Sequence, residues 1–353
     1  MEADRCAAIF PNWRTSEMAN ILEVRNLVQH FDLTKGFLDR LRFENGLPKL
    51  VHRVAHAVNG ISFDIREGEV FSLVGESGCG KSTAARTIIR LLEPKAGTIA
   101  YRGLDITKLA RKEMIPLRRE MQMIFQDPYA SLNPRQRVRD IVMEPMLFHR
   151  KAKNRKEAAE KSLALLERVG LNPEQALRYP HQFSGGQRQR IGIARALAME
   201  PRFIIADEPV SALDVSIQAQ ILNMLMDLKE EYQLSFLFIA HDLSVVKHIS
   251  DSVGVMYLGS IVETGRKENI FRNPRHPYTR LLFSSAPTLD EEERCEPAEL
   301  KGEIPSSINL PKGCAFCERC PMAVEICAQE RPVLKEVEPG HSVSCHCMHG
   351  DPA

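Results

Sequence analysis

Eight residues, Gly75-Glu-Ser-Gly-Cys-Gly80-Lys81-Ser82, fit the pattern G-x-x-x-x-G-K-[ST] between an apolar stretch, EVFSLV (69–74), and a helical run. This is the make-up of a phosphate-binding loop. Its glycines let successive backbone N–H groups curl around the β- and γ-phosphates of a nucleotide, and the following helix adds its positive end. Lys81 neutralises charge and the Ser82 hydroxyl binds Mg²⁺. Further along, FIIADEP (203–209) is a buried-strand pattern that ends in two acids. It is the arrangement that delivers Asp207 to the Mg²⁺ shell and leaves Glu208 beside the γ-phosphate, where a carboxylate can orient or deprotonate an attacking water.

A second glycine cluster, FSGGQRQR (183–190), opens another helical run. Ser184 and the free N–H groups at that helix start can also cap a γ-phosphate. The phosphate loop at 75–82 already fills that role once, so the second cluster is free to serve a nucleotide held by another subunit.

These residues need a scaffold. Stretches 21–31, 56–65, 69–74 and 121–125 read as strands, with a polar surface loop over 32–55. After Lys81, the spacing of Ile88, Leu91 and Leu92 predicts a helix. From about 135 to 200 the pattern is wholly helical, and it returns to strand at FIIAD. The run 216–232 places Ile217, Ile221, Leu225, Leu228 and Tyr232 on one helical face, and SFLFIAH follows as a strand. Alternating strands and helices predict an α/β core with a covered parallel sheet, interrupted by a helical subdomain over about 127–200. The expected divisions are an N-terminal extension (1–19), a main domain (20–265) and a small Pro- and Cys-rich C-terminal appendage (266–353).

Bulk properties limit the partners. The formal net charge is +1, from 47 basic and 46 acidic residues, so no global field recruits nucleic acid or an anionic membrane. No apolar run approaches the length needed to span a bilayer, and the N-terminus lacks a signal-peptide core, so the chain is expected to stay in the cytosol. Of nine cysteines, six fall between Cys314 and Cys347. Cys314, Cys317 and Cys320 form C-x₂-C-x₂-C-P, a ferredoxin-like run, while His346 and His349 keep zinc open as an alternative, as are unliganded thiols.

The run FSGGQRQRIGIARAL, in its order relative to the other motifs across roughly 20–265, resembles the signature of ATP-binding cassette (ABC) ATPases. That resemblance implies a P-loop NTPase cassette: a RecA-like parallel core, an antiparallel β subdomain and an inserted helical subdomain. ATP would be held by Gly75, Glu76, Ser77, Gly78, Cys79, Gly80, Lys81, Ser82 and Thr83, with Phe31 stacked on adenine. Ser82, Gln126 and Asp207 would serve Mg²⁺, and Gln126, Glu208 and His241 hydrolysis. SALD (211–214) would be the D-loop. Ser184, Gly185, Gly186 and Gln187 would cover the nucleotide of a partner cassette in trans. Cys79 stands where the family often has serine, and a thiol at a helix start is a candidate for reactivity.

Within that family, QDPYASLNPR, RYPHQFSGGQRQR, HPYTRLLFSSAP (276–287) and the cysteine tail resemble importer subunits of the oligopeptide, dipeptide and nickel type. The expected partners are a second, different ATPase chain, two transmembrane permease subunits and an extracytoplasmic solute-binding protein. The chain would then lie peripherally on the cytoplasmic face of the bacterial inner membrane. The region after Gln126 would receive a coupling helix of the permease. The family tail pattern selects Cys314, Cys320, Cys327 and Cys345 for a [4Fe–4S] cluster. A carbon–phosphorus lyase accessory ATPase is the alternative outside transport.

Overall fold

The computed structural model describes residues 19–34, 41–44, 47–50, 53–284, 305–308 and 310–348. Cys6, Cys295 and His349 lie outside them. Its centre is an eight-stranded sheet containing β5 (Val70–Val74), β8 (Met121–Ile124), β9 (Phe203–Asp207), β10 (Ser235–Ala240), β11 (Ser252–Tyr257), β12 (Ser260–Arg266), β13 (Lys335–Glu338) and β14 (His341–Val343). The order is β13-β14-β12-β11-β5-β10-β9-β8, with β11, β5, β10, β9 and β8 mutually parallel.

The strands alternate between two cores, as a pleat of period two requires. Ile204, Phe236 and Phe238 face one hydrophobic cluster, which continues into the helical subdomain. Phe203, Ile205, Leu237 and Ile239 face the other, shared with a four-stranded antiparallel sheet. That second sheet is ordered β4-β1-β6-β7, from β1 (Asn20–Asp32), β4 (Val54–Arg66), β6 (Ala96–Tyr101) and β7 (Leu104–Asp105). The expected parallel core and antiparallel subdomain are therefore both present. Between β8 and β9 lie helices at Pro128–Ser131, Val138–Phe148, Arg155–Arg168 and Gly185–Leu197, which form the inserted helical subdomain. Among the described residues no helix is long and apolar enough to cross a membrane.

Three expectations are corrected. The helix that begins at Lys81 ends at Ile88 rather than running through Leu91 and Leu92, because Arg90 turns into the left-handed region at φ 59°. Leu91 is left half exposed, at 50%. The expected loop over 32–55 contains a hairpin, Leu41–Glu44 paired with Leu47–Leu50. In the helix Val215–Tyr232, Ile221, Leu225 and Leu228 are buried as expected, but Tyr232 is exposed. The C-terminal region joins the main sheet, since β14 pairs with β12 through Glu263↔Val343, Thr264↔Ser342 and Gly265↔His341.

Candidate nucleotide site

The phosphate loop links β5 to the helix Lys81–Ile88, and its glycines are there for space. A Cβ on Gly75 would lie 2.1 Å from the Met256 carbonyl oxygen, and one on Gly80 would lie 2.0 Å from that of Ala57. The loop is thus pressed against β11 and β4, where only glycine fits. Lys81 is buried, and its Nζ donates to the carbonyls of Gly75 at 2.7 Å and Glu76 at 3.0 Å. The ammonium is held inside the loop, where a phosphate would be met.

Asp207 ends β9 with no exposed surface. Its Oδ1 accepts the Ser82 hydroxyl at 2.6 Å, whereas Oδ2 is buried without a hydrogen-bond partner and has the Arg86 guanidinium 3.9 Å away. Burial pushes its carboxyl above the ordinary carboxylate range, opposed by the Ser82 hydrogen bond and the charges of Arg86 and Lys81. An orphaned buried carboxylate oxygen beside a serine hydroxyl is the donor set a hard cation needs, so these residues fit Mg²⁺.

Glu208 follows at φ 45°, a left-handed conformation costly for a residue with a Cβ. Its amide donates to the Ile239 carbonyl at 3.1 Å. Its Oε2 accepts Gln126 Nε2 at 2.8 Å and lies 3.4 Å from His241 Nδ1. The three residues expected to serve hydrolysis, drawn from the ends of β8, β9 and β10, therefore meet at one carboxylate.

Phe31, next to the end of β1, is 37% exposed, open enough to stack on a base. Ser184 caps the helix Gly185–Leu197: Ser184 Oγ accepts from the Gln187 amide at 3.4 Å, and Gln187 Oε1 accepts from the Ser184 amide at 3.0 Å. This reciprocal box leaves Ser184 and Gly185 facing solvent. A Cβ on Gly186 would meet Ile217 Cγ2 at 2.5 Å, so the signature helix is packed directly on the helix that follows SALD.

The expectation of a reactive Cys79 is corrected, because its side chain is buried and burial pushes the thiol up. A thiolate there would be poorly solvated. Sequence reasoning missed Tyr278 and Arg319, which both touch the phosphate loop. The Tyr278 hydroxyl accepts the Glu76 amide at 2.9 Å, and Arg319 pairs with the Glu76 carboxylate. HPYTR carries only a family likeness in the sequence, and the Arg inside CERC is hidden by its cysteines.

In the tail, turns close at Cys317 N to Cys314 O (3.1 Å) and Cys320 N to Cys317 O (3.3 Å), and Cys314 N donates to Cys327 O at 2.7 Å. Burial, together with the neighbouring thiols, pushes Cys314 and Cys345 up to about 11. Among the described residues, no group of three or more His, Cys, Asp or Glu stands where it could hold a metal ion. The expected set Cys314, Cys320, Cys327 and Cys345 is gathered in one region but not arranged as a ligand shell.

Together, the phosphate loop, the paired acids and the split core with its helical insert define an ABC-type ATPase cassette, which binds ATP with Mg²⁺. The family models agree: residues 58–211 match "ABC transporter" and residues 262–327 match "Oligopeptide/dipeptide transporter, C-terminal region". YkfD of Bacillus subtilis is 52% identical over 328 residues, covering 92% of this chain and 95% of that protein. The oligopeptide transport ATP-binding protein AppF of the same organism is 51% identical over 329 residues, covering 92% and 97%. The chain belongs to the ATP-binding subunits of ABC transporters of the oligopeptide/dipeptide class. Among solved structures, the dimeric post-hydrolysis cassette MJ0796 bound to ADP and Pi is similar at TM-score 0.60 and 27% identity, covering 70% of this chain and 98% of that one. The protein hydrolyses ATP to drive import.

Proposed function

We propose that this chain energises uptake of di- or oligopeptides as one of two cassettes, its partner a different chain, docked beneath a permease pair that is fed by an extracytoplasmic binding protein. In this reading it works peripherally on the inner face of the bacterial membrane. The observation that carries it is the continuity between the hydrolytic residues and an open cleft. Gln126 touches Glu208, and the adjacent Phe125 lines a cavity of about 570 Å³ together with Gln136, Pro145, Phe148 and Arg195. Phe148 at its edge is 74% exposed, touching the His149 ring edge-on but otherwise open, an aromatic suited to a permease helix.

The proposed chemistry divides among the chain's own groups. Lys81 and the loop amides bind the β- and γ-phosphates, while Ser82, Gln126 and Asp207 would hold Mg²⁺, whose charge would offset that of the phosphate oxygens. Glu208 positions and deprotonates the water, and His241 holds that carboxylate in place. Phe31 stacks on adenine, and Ser184 to Gln187 close over the nucleotide of the partner cassette.

Isolation of the native complex tests the assignment. Recovery with a multispanning permease supports peptide-class import, and recovery with soluble subunits alone would overturn it. A [4Fe–4S] cluster on Cys314, Cys320, Cys327 and Cys345 is a separate proposal, with zinc as its alternative. It is supported by the C-x₂-C-x₂-C run and by the backbone contact, Cys314 N to Cys327 O at 2.7 Å, that brings Cys327 to that run. Iron, sulfide and zinc analysis of anaerobically purified protein decides between them.

A further inference from the structure

The cysteine tail reaches into the phosphate loop through one side chain. Arg319 stands between Cys317 and Cys320, on turns closed by Arg319 N to Phe316 O at 3.1 Å and Cys320 N to Cys317 O at 3.3 Å. Its guanidinium makes a bidentate pair with Glu76, Nη1 to Oε2 at 3.0 Å and Nη2 to Oε1 at 3.1 Å. The Arg319 side chain is only 4% exposed and that of Glu76 23%. Nη1 also donates to the Tyr257 hydroxyl at 3.3 Å, and the guanidinium lies over the rings of Tyr257 and Phe316. A planar fork clamped on a carboxylate and seated on aromatic rings is an ion pair of fixed geometry.

Glu76 is held on every side. Its amide donates to the Tyr278 hydroxyl at 2.9 Å and its carbonyl accepts Lys81 Nζ at 3.0 Å. Displacing Glu76 would therefore move an acceptor of the phosphate-binding lysine. A second stretch of the tail meets the same loop: Pro305, Ser306 and Ser307 line a cavity of about 300 Å³ with Glu76 to Cys79, and the Ser307 carbonyl accepts the His56 amide at 3.0 Å.

We infer that Arg319 is a positioning residue of the nucleotide site: carried on the cysteine turns, it clamps Glu76 and through it sets the resting geometry of the phosphate loop, so that the arrangement of the tail governs nucleotide affinity. The inference rests on the phosphate loop being the nucleotide site. Any rearrangement of the Cys314–Cys320 turns must carry Arg319 with it, and the loop is one ion pair away.

The test is equilibrium binding of a fluorescent ATP analogue with Mg²⁺ to the purified full chain. Arg319→Met and Glu76→Gln are each expected to weaken binding about ten-fold, and the double variant no further, since contacting residues fail additivity. Arg319→Lys recovers part of the loss. In turnover assays Arg319→Met raises KM and leaves kcat unchanged, the mark of lost binding rather than lost chemistry. Arg275→Met serves as the control, because it cuts a different tail anchor, the Arg275–Glu338 pair, away from the loop; it lowers thermal stability without changing affinity. Unchanged affinity in Arg319→Met, or losses that add in the double variant, would overturn the inference. Should Arg319→Met fail to fold, Glu76→Gln with Arg319→Lys still decides it: wild-type affinity in both would overturn it. Lys81→Ala separates the two failures, because retained binding there refutes the loop as the nucleotide site itself.

Discussion

At Glu208 the chain accepts an unfavourable backbone to hold one carboxylate. The residue is left-handed at φ 45°, yet its side chain is fixed between Gln126 and His241. Strain of this kind persists where the surroundings over-determine it, as at a reacting centre. Glu208→Gln keeps the shape and the Gln126 contact but cannot take a proton. It is expected to retain ATP binding, to accumulate the closed dimer and to lose about 10²- to 10⁴-fold in turnover, the usual share of general base catalysis. Phosphate release measured beside nucleotide binding checks it, and turnover at the wild-type rate would remove Glu208 from the chemistry. His276 makes a different kind of prediction. It is buried, its Nδ1 accepts the Tyr278 amide at 3.1 Å, and burial lowers it to about 4. Below its ordinary value the unfolded chain takes a proton that the native imidazole refuses, so stability falls as pH drops from about 6.5 towards 4, by up to about 3 kcal/mol. Thermal midpoints across that range should fall, and His276→Asn should flatten the dependence.

At the scale of elements, the signature helix depends on one missing methyl. Gly186 faces Ile217, whose β-branched side chain cannot swing aside, and an added Cβ would stand 2.5 Å from it. Gly186→Ala is expected to cost about 1–3 kcal/mol and to lower the ATPase rate of the assembled transporter while leaving nucleotide affinity of the isolated chain unchanged. Gly192, on the same helix with open space around it, is the control: Gly192→Ala should be neutral or stabilise by up to about 1 kcal/mol. Denaturant midpoints distinguish the two. What the sequence made legible here was chemistry tied to strand ends. Gly75 to Ser82, Asp207 and Glu208 could be placed because each motif carries its own strand or helix with it, whereas Gln126 and His241 rested on the family resemblance. The hairpin of Leu41–Glu44 and Leu47–Leu50 was signalled only by the Asn45-Gly46 dipeptide between its arms, and the polar composition around it hid that cue. Arg90 ends the helix Lys81–Ile88 against a continuing apolar period, since left-handed turns at non-glycine residues leave no mark in periodicity. The joining of β14 to β12 was out of reach because it pairs residues about eighty positions apart, and nothing local specifies such a partner.

At the scale of the whole molecule, the phosphate loop and the signature helix belong to opposite sides of the architecture. The loop lies against β4 and β11, backed by the core shared with the antiparallel sheet. The signature helix belongs to the core that the helical subdomain builds, with Ser184 and Gly185 open to solvent. A phosphate held at Lys81 therefore lacks a cap while Ser184 offers one that faces outward, and in the proposed head-to-tail pair a second cassette would supply the match. The consequence is kinetic. Nucleotide binding by the isolated chain should be independent of its concentration, because Lys81, Ser82 and Asp207 are all its own. Hydrolysis should not be, since the competent site forms by association and its population follows mass action. Specific activity is expected to fall steeply as the chain and its partner cassette are diluted together at saturating ATP, and to return when they are concentrated or when the complete transporter is reassembled. Adding excess Lys81→Ala chain, which presents an intact Ser184–Gln187 segment but binds no nucleotide, should not restore full activity, because each closed pair then holds one nucleotide instead of two. A dilution series of ATPase rate beside nucleotide affinity measures both expectations, and a constant specific activity down to the concentration where only solitary chains exist would refute the shared site.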